Sequence, residues 1–76
     1  MKYADGTEIE PGDLVQIDWT YRGRVIASMD TDKYLPGEDA WSYLPTGIMV
    51  DTDFAGLVHY TSEVDVEFVL LKRDSD

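Results

Sequence analysis

Apolar residues recur along this chain at every second position. Val15, Ile17, Trp19 and Tyr21 alternate with Gln16, Asp18, Thr20 and Arg22, which predicts a strand with one apolar and one wet face. Val64, Val66, Phe68 and Leu70 repeat that period between Asp65, Glu67, Val69 and Leu71, predicting a last strand. No window sustains a helical period over more than about two turns.

Punctuation between these runs completes the expected order. Asp5-Gly6 breaks a short opening strand, Tyr3 to Ile9, and Pro11-Gly12-Asp13 marks a second turn. Arg22-Gly23-Arg24 reads as the tight turn of a hairpin over 13–29, with Val25 to Met29 as the returning strand. Asp30 to Gly37 reads as a loop. Glu38 to Leu44 is the one stretch suited to a helical turn, of 3₁₀ type, with acids at its front and Pro45 closing it. Gly47 to Asp53 and Leu57 to Thr61 form a second hairpin about Phe54-Ala55-Gly56, and Lys72 to Asp76 is a polar tail expected to fray. Five to six short antiparallel strands in one domain, residues 1–76, predict an all-β fold, a small SH3-like barrel or sandwich. A Gly12-Asp13 turn leading into a strand, followed by a glycine turn and a second strand, is how SH3-like barrels open.

Size and charge narrow the function. A chain of 76 residues buries only roughly 60% of its unfolded surface, which leaves no room for a deep catalytic cleft. There are no cysteines, so disulfides and thiolate zinc sites are excluded and a cytoplasmic setting is the simplest expectation. The opening residues turn polar at once, and the apolar runs, such as Phe68 to Leu71, are far shorter than the roughly 20 residues that span a bilayer. Sixteen acidic residues against six basic ones give a net charge of -10. Such a surface repels phosphate backbones and anionic membranes and attracts basic proteins. Two Trp, five Tyr and two Phe, with many Val and Ile, argue against a disordered acidic chain.

The constellations that could carry chemistry are thin. His59 lies between Val58 and Tyr60 with no nucleophile elbow anywhere, so a structural or contact role is expected. Asp-Thr-Asp occurs at 30–32 and 51–53. Asp51, Asp53 and Gly56 match the first, third and sixth positions of a calcium loop, but Ala55 and Ser62 fail the fifth and the last. The first copy has Leu35 where the glycine belongs. Both copies read better as turn caps, and no metal or cofactor is expected. Arg22 and Arg24 beside Trp19 and Tyr21 are too few among sixteen acids to hold nucleic acid. No phosphate-binding glycine loop occurs. The chain is therefore expected not to be an enzyme. The best candidate surface joins aromatics to acids: Asp39, Trp41, Tyr43, Asp51, Asp53, His59 and Tyr60. The competing expectation is that Trp41 and Tyr43 plug a barrel end.

Two stretches carry a resemblance. Lys2-Tyr3-Ala4-Asp5-Gly6-Thr7 followed by Gly12-Asp13 is one. The other is Trp41-Ser42-Tyr43-Leu44, Gly47-Ile48-Met49-Val50 and Gly56-Leu57-Val58-His59-Tyr60. Together they resemble small bacterial proteins encoded beside Rhs-type and other polymorphic toxins, some of which are immunity proteins. The resemblance implies a partner that is a toxin domain, neutralised by binding, and implies no catalytic residues. Two other classes fit the same chain: an SH3-like adaptor that binds peptide or protein, and an acidic nucleic-acid mimic.

Overall fold

The computed structural model describes residues 1–61 and 66–73. Six antiparallel strands form one sheet: β1 (Leu14–Ile17), β2 (Tyr21–Ser28), β3 (Lys33–Tyr34), β4 (Ile48–Thr52), β5 (Gly56–Tyr60) and β6 (Phe68–Lys72). A 3₁₀ turn, Asp39–Tyr43, precedes β4. The ladder order is β5-β4-β2-β1-β6, with β3 paired to the end of β2. Without the two-residue β3 this is a meander whose last strand returns to the first, the order of an SH3-like barrel. The all-β expectation and the lone 3₁₀ turn both hold.

The first hairpin differs in its turn. The chain reverses through Asp18, Trp19 and Thr20, where Thr20 N–H donates to Ile17 O at 3.3 Å and Ile17 lies opposite Tyr21. Gly23 is no turn residue. It sits inside β2 between Val15 on β1 and Thr52 on β4. A Cβ there would lie 2.7 Å from Val50 Cγ1 and 2.9 Å from the Asp51 carbonyl, so the glycine allows a close crossing of strands. The loop after Met29 also contains β3. The tail begins later than expected: Lys72 ends β6, and Arg73 is bonded to Asp13. Of the last predicted strand, Val64 and Asp65 lie outside the described residues, as do residues 74–76 of the tail.

One sheet serves two apolar layers. Opposite β4, β2 carries an extra residue between Val25 and Ala27, so Val25 faces Val50 while Ala27 faces Met49. Neighbours along β4 point to opposite faces, and the bulge therefore moves β2 from one layer to the other. The first layer holds Tyr3, Ile9, Val15, Ile17, Val25, Ile48, Val50, Tyr60 and Phe68. The second holds Ile26, Ala27, Met29 and Met49, covered by Tyr34, Leu35, Trp41 and Leu44 from the long β2–β4 connection.

The chain ends meet at a fully buried carboxylate. Asp13 accepts from Tyr3 Oη at 2.6 Å, from Glu10 N–H at 3.1 Å, and from Arg73 Nε at 3.1 Å and Nη2 at 3.3 Å. Arg73 Nη2 also donates to Glu8 O at 3.2 Å, and Asp13 O accepts from Val25 N–H at 2.9 Å. Every buried side-chain polar atom among the described residues has a partner. Burial, with the bond to Asp13 behind it, holds the Tyr3 hydroxyl far above its usual range.

Gly23→Ala destabilises by about 1–3 kcal/mol, the usual result of forcing a methyl into a filled core, measured by urea unfolding. Stability also falls as pH rises past about 10, because the unfolded Tyr3 gives up its proton there while the folded one keeps it. Urea midpoints at pH 8 and pH 10.5 check this. Tyr3→Phe should be less stable at pH 8 by about 1–3 kcal/mol, through the lost bond to a buried carboxylate, and should show a shallower alkaline decline.

Candidate functional site

The seven residues expected to form a contact surface separate into three places. Asp39, Trp41 and Tyr43 belong to the 3₁₀ turn. Trp41 is half-buried against the second apolar layer, and its Nε1–H donates to Glu38 Oε2 at 2.9 Å. It covers that layer, while the expected companion Tyr43 does not. Tyr43 turns outward and is 73% exposed. His59 lies across from Met49 on β5, and its Nε2 is 2.8 Å from the Thr46 carbonyl. A carbonyl only accepts, so Nε2 carries the proton and the ring ties β5 to the residue after Pro45.

Asp51 and Asp53 lie at the other end of β4. Asp51 is exposed, opposite Arg24 on β2 and Leu57 on β5. Asp53 is in the β4–β5 turn, where its Oδ1 accepts from Arg22 N–H at 3.2 Å and its own N–H donates to Arg22 O at 2.9 Å. Tyr60 points into the first layer, edge-on to Phe68 with ring centroids 5.1 Å apart. It has almost no surface to offer a partner.

The Asp-Thr-Asp segments bond locally through Asp32 and Thr52, as turn caps do, whereas Asp30 and Asp53 bond residues distant in sequence. Asp30 Oδ1 accepts from Gly47 N–H at 2.9 Å, its Oδ2 meets the Met1 ammonium, and Asp32 accepts from Tyr34 Oη at 3.0 Å. Burial pushes the Asp30 carboxyl up, but the bonds to Met1 and Gly47 outweigh it and hold the group below its usual range. Thr52 Oγ1 donates to Gly56 O and accepts from Ala55 N–H, closing the β4–β5 turn. Among the described residues, no three His, Asp or Glu side chains are placed to hold a metal ion.

The fold assembles a surface that the sequence reading missed. The β1–β2 and β4–β5 turns share one end of the sheet, where Arg22 N–H donates to the Asp53 carboxylate and Asp53 N–H donates to Arg22 O. There Tyr21 and Phe54 meet with ring centroids 4.3 Å apart and planes inclined by 32°. They remain 41% and 48% exposed, and Trp19 in the same β1–β2 turn is 68% exposed. Asp18, Asp53 and Glu67 are exposed around them, Asp18 N–H donating to Glu67 O at 2.9 Å. Arg22 is the cation at this end.

The conformation of Trp19 is unusual. Asp18 and Trp19 have φ of 50° and 70°. Asp visits the left-handed region readily, but for a bulky residue it costs about 1–2 kcal/mol. Trp19 recovers little of that by burial. Trp19 and Tyr21 continue the alternation of Val15 and Ile17 in the sequence, which extends the expected strand through the true turn, while Phe54 stands in the turn expected for it.

Comparison with family models, with curated proteins and with solved structures returns no match. Among the described residues, no helix is long and apolar enough to cross a membrane.

If the strain at Trp19 is not offset by packing, Trp19→Asn raises the unfolding free energy by about 1 kcal/mol, since Asn tolerates the left-handed region. Urea unfolding measures this. A loss of stability would mean that the indole packs on the fold.

Proposed function

We propose that this chain is a non-catalytic binding protein that captures a basic protein, and that its partner is a bacterial toxin domain which it neutralises in the cytoplasm. One observation carries the reading: a domain of net charge -10 turns large aromatic side chains outward, Trp19 at 68% and Tyr43 at 73% exposure. Tryptophan and tyrosine dominate binding hot spots, and dense negative charge steers basic partners into contact. The likeness of two stretches to proteins encoded beside polymorphic toxins supports the choice of partner. Toxin domains that act on nucleic acids carry basic sites, and an acidic protein seated there excludes the substrate.

The acids and aromatics divide the work. Asp39, Asp51 and Asp53 are exposed and set the approach, while Tyr43 and the hairpin-end rings supply contact area. Trp41 and His59 hold the 3₁₀ connection in place, and Tyr60 supports β5 from within the core. A second reading, an adaptor that adds an extended peptide to a sheet edge, draws on β5 and β6 at the two ends of the ladder order.

Co-expression with a toxin domain taken from a neighbouring gene tests the first reading. The expected result is restored growth and a one-to-one complex. Asp51→Asn with Asp53→Asn should slow association, and raising salt from 50 to 500 mM should slow it by about tenfold or more. Absence of both complex and rescue overturns the toxin assignment, and recovery of extended peptides instead supports the adaptor.

A further inference from the structure

We propose, resting on the reading of the chain as a binding protein, that the hairpin end formed by Trp19, Tyr21 and Phe54 is the point at which it docks an arginine side chain of its basic partner. Three aromatic rings stand 41–68% exposed there, two of them already in contact at 4.3 Å. Side chains that served only the core would be covered, as Tyr60 and Phe68 are at 6% each. The indole of Trp19 is presented from a left-handed backbone, φ 70°, at a position where Gly or Asn would relieve the strain. A strained and exposed tryptophan is placed to contact something outside the chain.

Charge selects the occupant. Exposed Asp18, Asp53 and Glu67 border the rings, against Arg22. Acids beside aromatic faces favour a cation, and polyanions such as nucleic acid are repelled. Between the two basic side chains, the guanidinium is planar, weakly hydrated and able to stack on a ring while bonding a carboxylate at its edge. The ammonium of lysine gives up more hydration for the same contact. The end is built from two turn tips, not from a cleft, so it suits a side chain on a protein surface and would not enclose a free small molecule.

The 3₁₀ turn offers a weaker alternative. Tyr43 is more exposed than Trp19, but Trp41 beside it is committed to the second apolar layer and to Glu38.

The test uses the intact chain, ¹⁵N-labelled, titrated with a Gly-Arg repeat peptide and with a Gly-Lys peptide of equal length at 150 mM salt. The two indole N–H signals report Trp19 and Trp41 separately. The expected result is movement of the Trp19 indole and of the amides of residues 18–21 and 53–55, with the Trp41 indole unmoved. The arginine peptide should bind about threefold to fivefold more tightly than the lysine peptide. Trp19→Gly should weaken the arginine peptide by about threefold to fivefold, to the level of the lysine peptide, without lowering the melting temperature, and should change lysine binding by less than about twofold. Equal affinity for both peptides with shifts spread over all the acids overturns the assignment, as does unchanged arginine binding by Trp19→Gly, or no binding at all. The two readings separate cleanly. Rescue from the toxin by Trp19→Gly removes the hairpin end and leaves the binding reading standing. Failure of rescue by the unaltered protein, with the hairpin-end shifts present, removes only the toxin.

Discussion

The fold depends on one buried carboxylate. Asp13 gathers the Tyr3 hydroxyl, the Glu10 amide and the Arg73 guanidinium, which come from the opening loop, the turn before β1 and the residue after β6. A lone carboxylate at zero exposure would be far too costly to keep charged, so each of these partners is required. In exchange, the two ends of the chain are fixed to the start of β1. That closure places β6 against β1, and β6 brings Phe68 into the first apolar layer beside Tyr60. In a chain of 76 residues without disulfides, such a polar tie does the joining that a cross-link does in other small domains.

Two kinds of glycine and one tryptophan show where the backbone was shaped by contact. Gly23 is small because strands cross closely over it, and Gly47 combines φ of 94° with a Cβ position 2.2 Å from the Tyr60 carbonyl. Neither position tolerates a side chain. Trp19 presents the opposite case, a large side chain where a small residue would be easier. The first two are set by close contact, while at Trp19 the hairpin turn requires the positive φ and the large side chain stays exposed.

Much of the architecture was legible from the sequence. The alternation in 15–17, the Asp5-Gly6 and Phe54-Ala55-Gly56 turns and the 3₁₀ piece before Pro45 all appear where the residue types place them. The first hairpin turn was not legible, because Asp18-Trp19-Thr20 contains no glycine while Arg22-Gly23-Arg24 does, and a glycine between polar residues signals a turn. A close strand crossing uses the same residue for a different reason. That single shift hid the candidate surface, since it turned Trp19 and Tyr21 from exposed tip residues into an apolar strand face. Tyr60 misled in the opposite direction. Nothing local marks whether the one tyrosine of this hairpin faces in or out, and it lies opposite Ile48, which belongs to the first layer. The role of Arg73 was equally hidden, because its partner Asp13 is far away in sequence.

The bulge at Ile26 also separates the two layers as units of packing. By shifting β2 from one face to the other, it lets the long connection over residues 34–44 cover a second small layer of its own. The two layers share strands but few side chains. The connection can therefore lengthen, shorten or change its outward residues while Val15, Val25, Val50 and Tyr60 stay as they are. Substitutions on the outer face of this connection are thereby separated from the packing of the first layer.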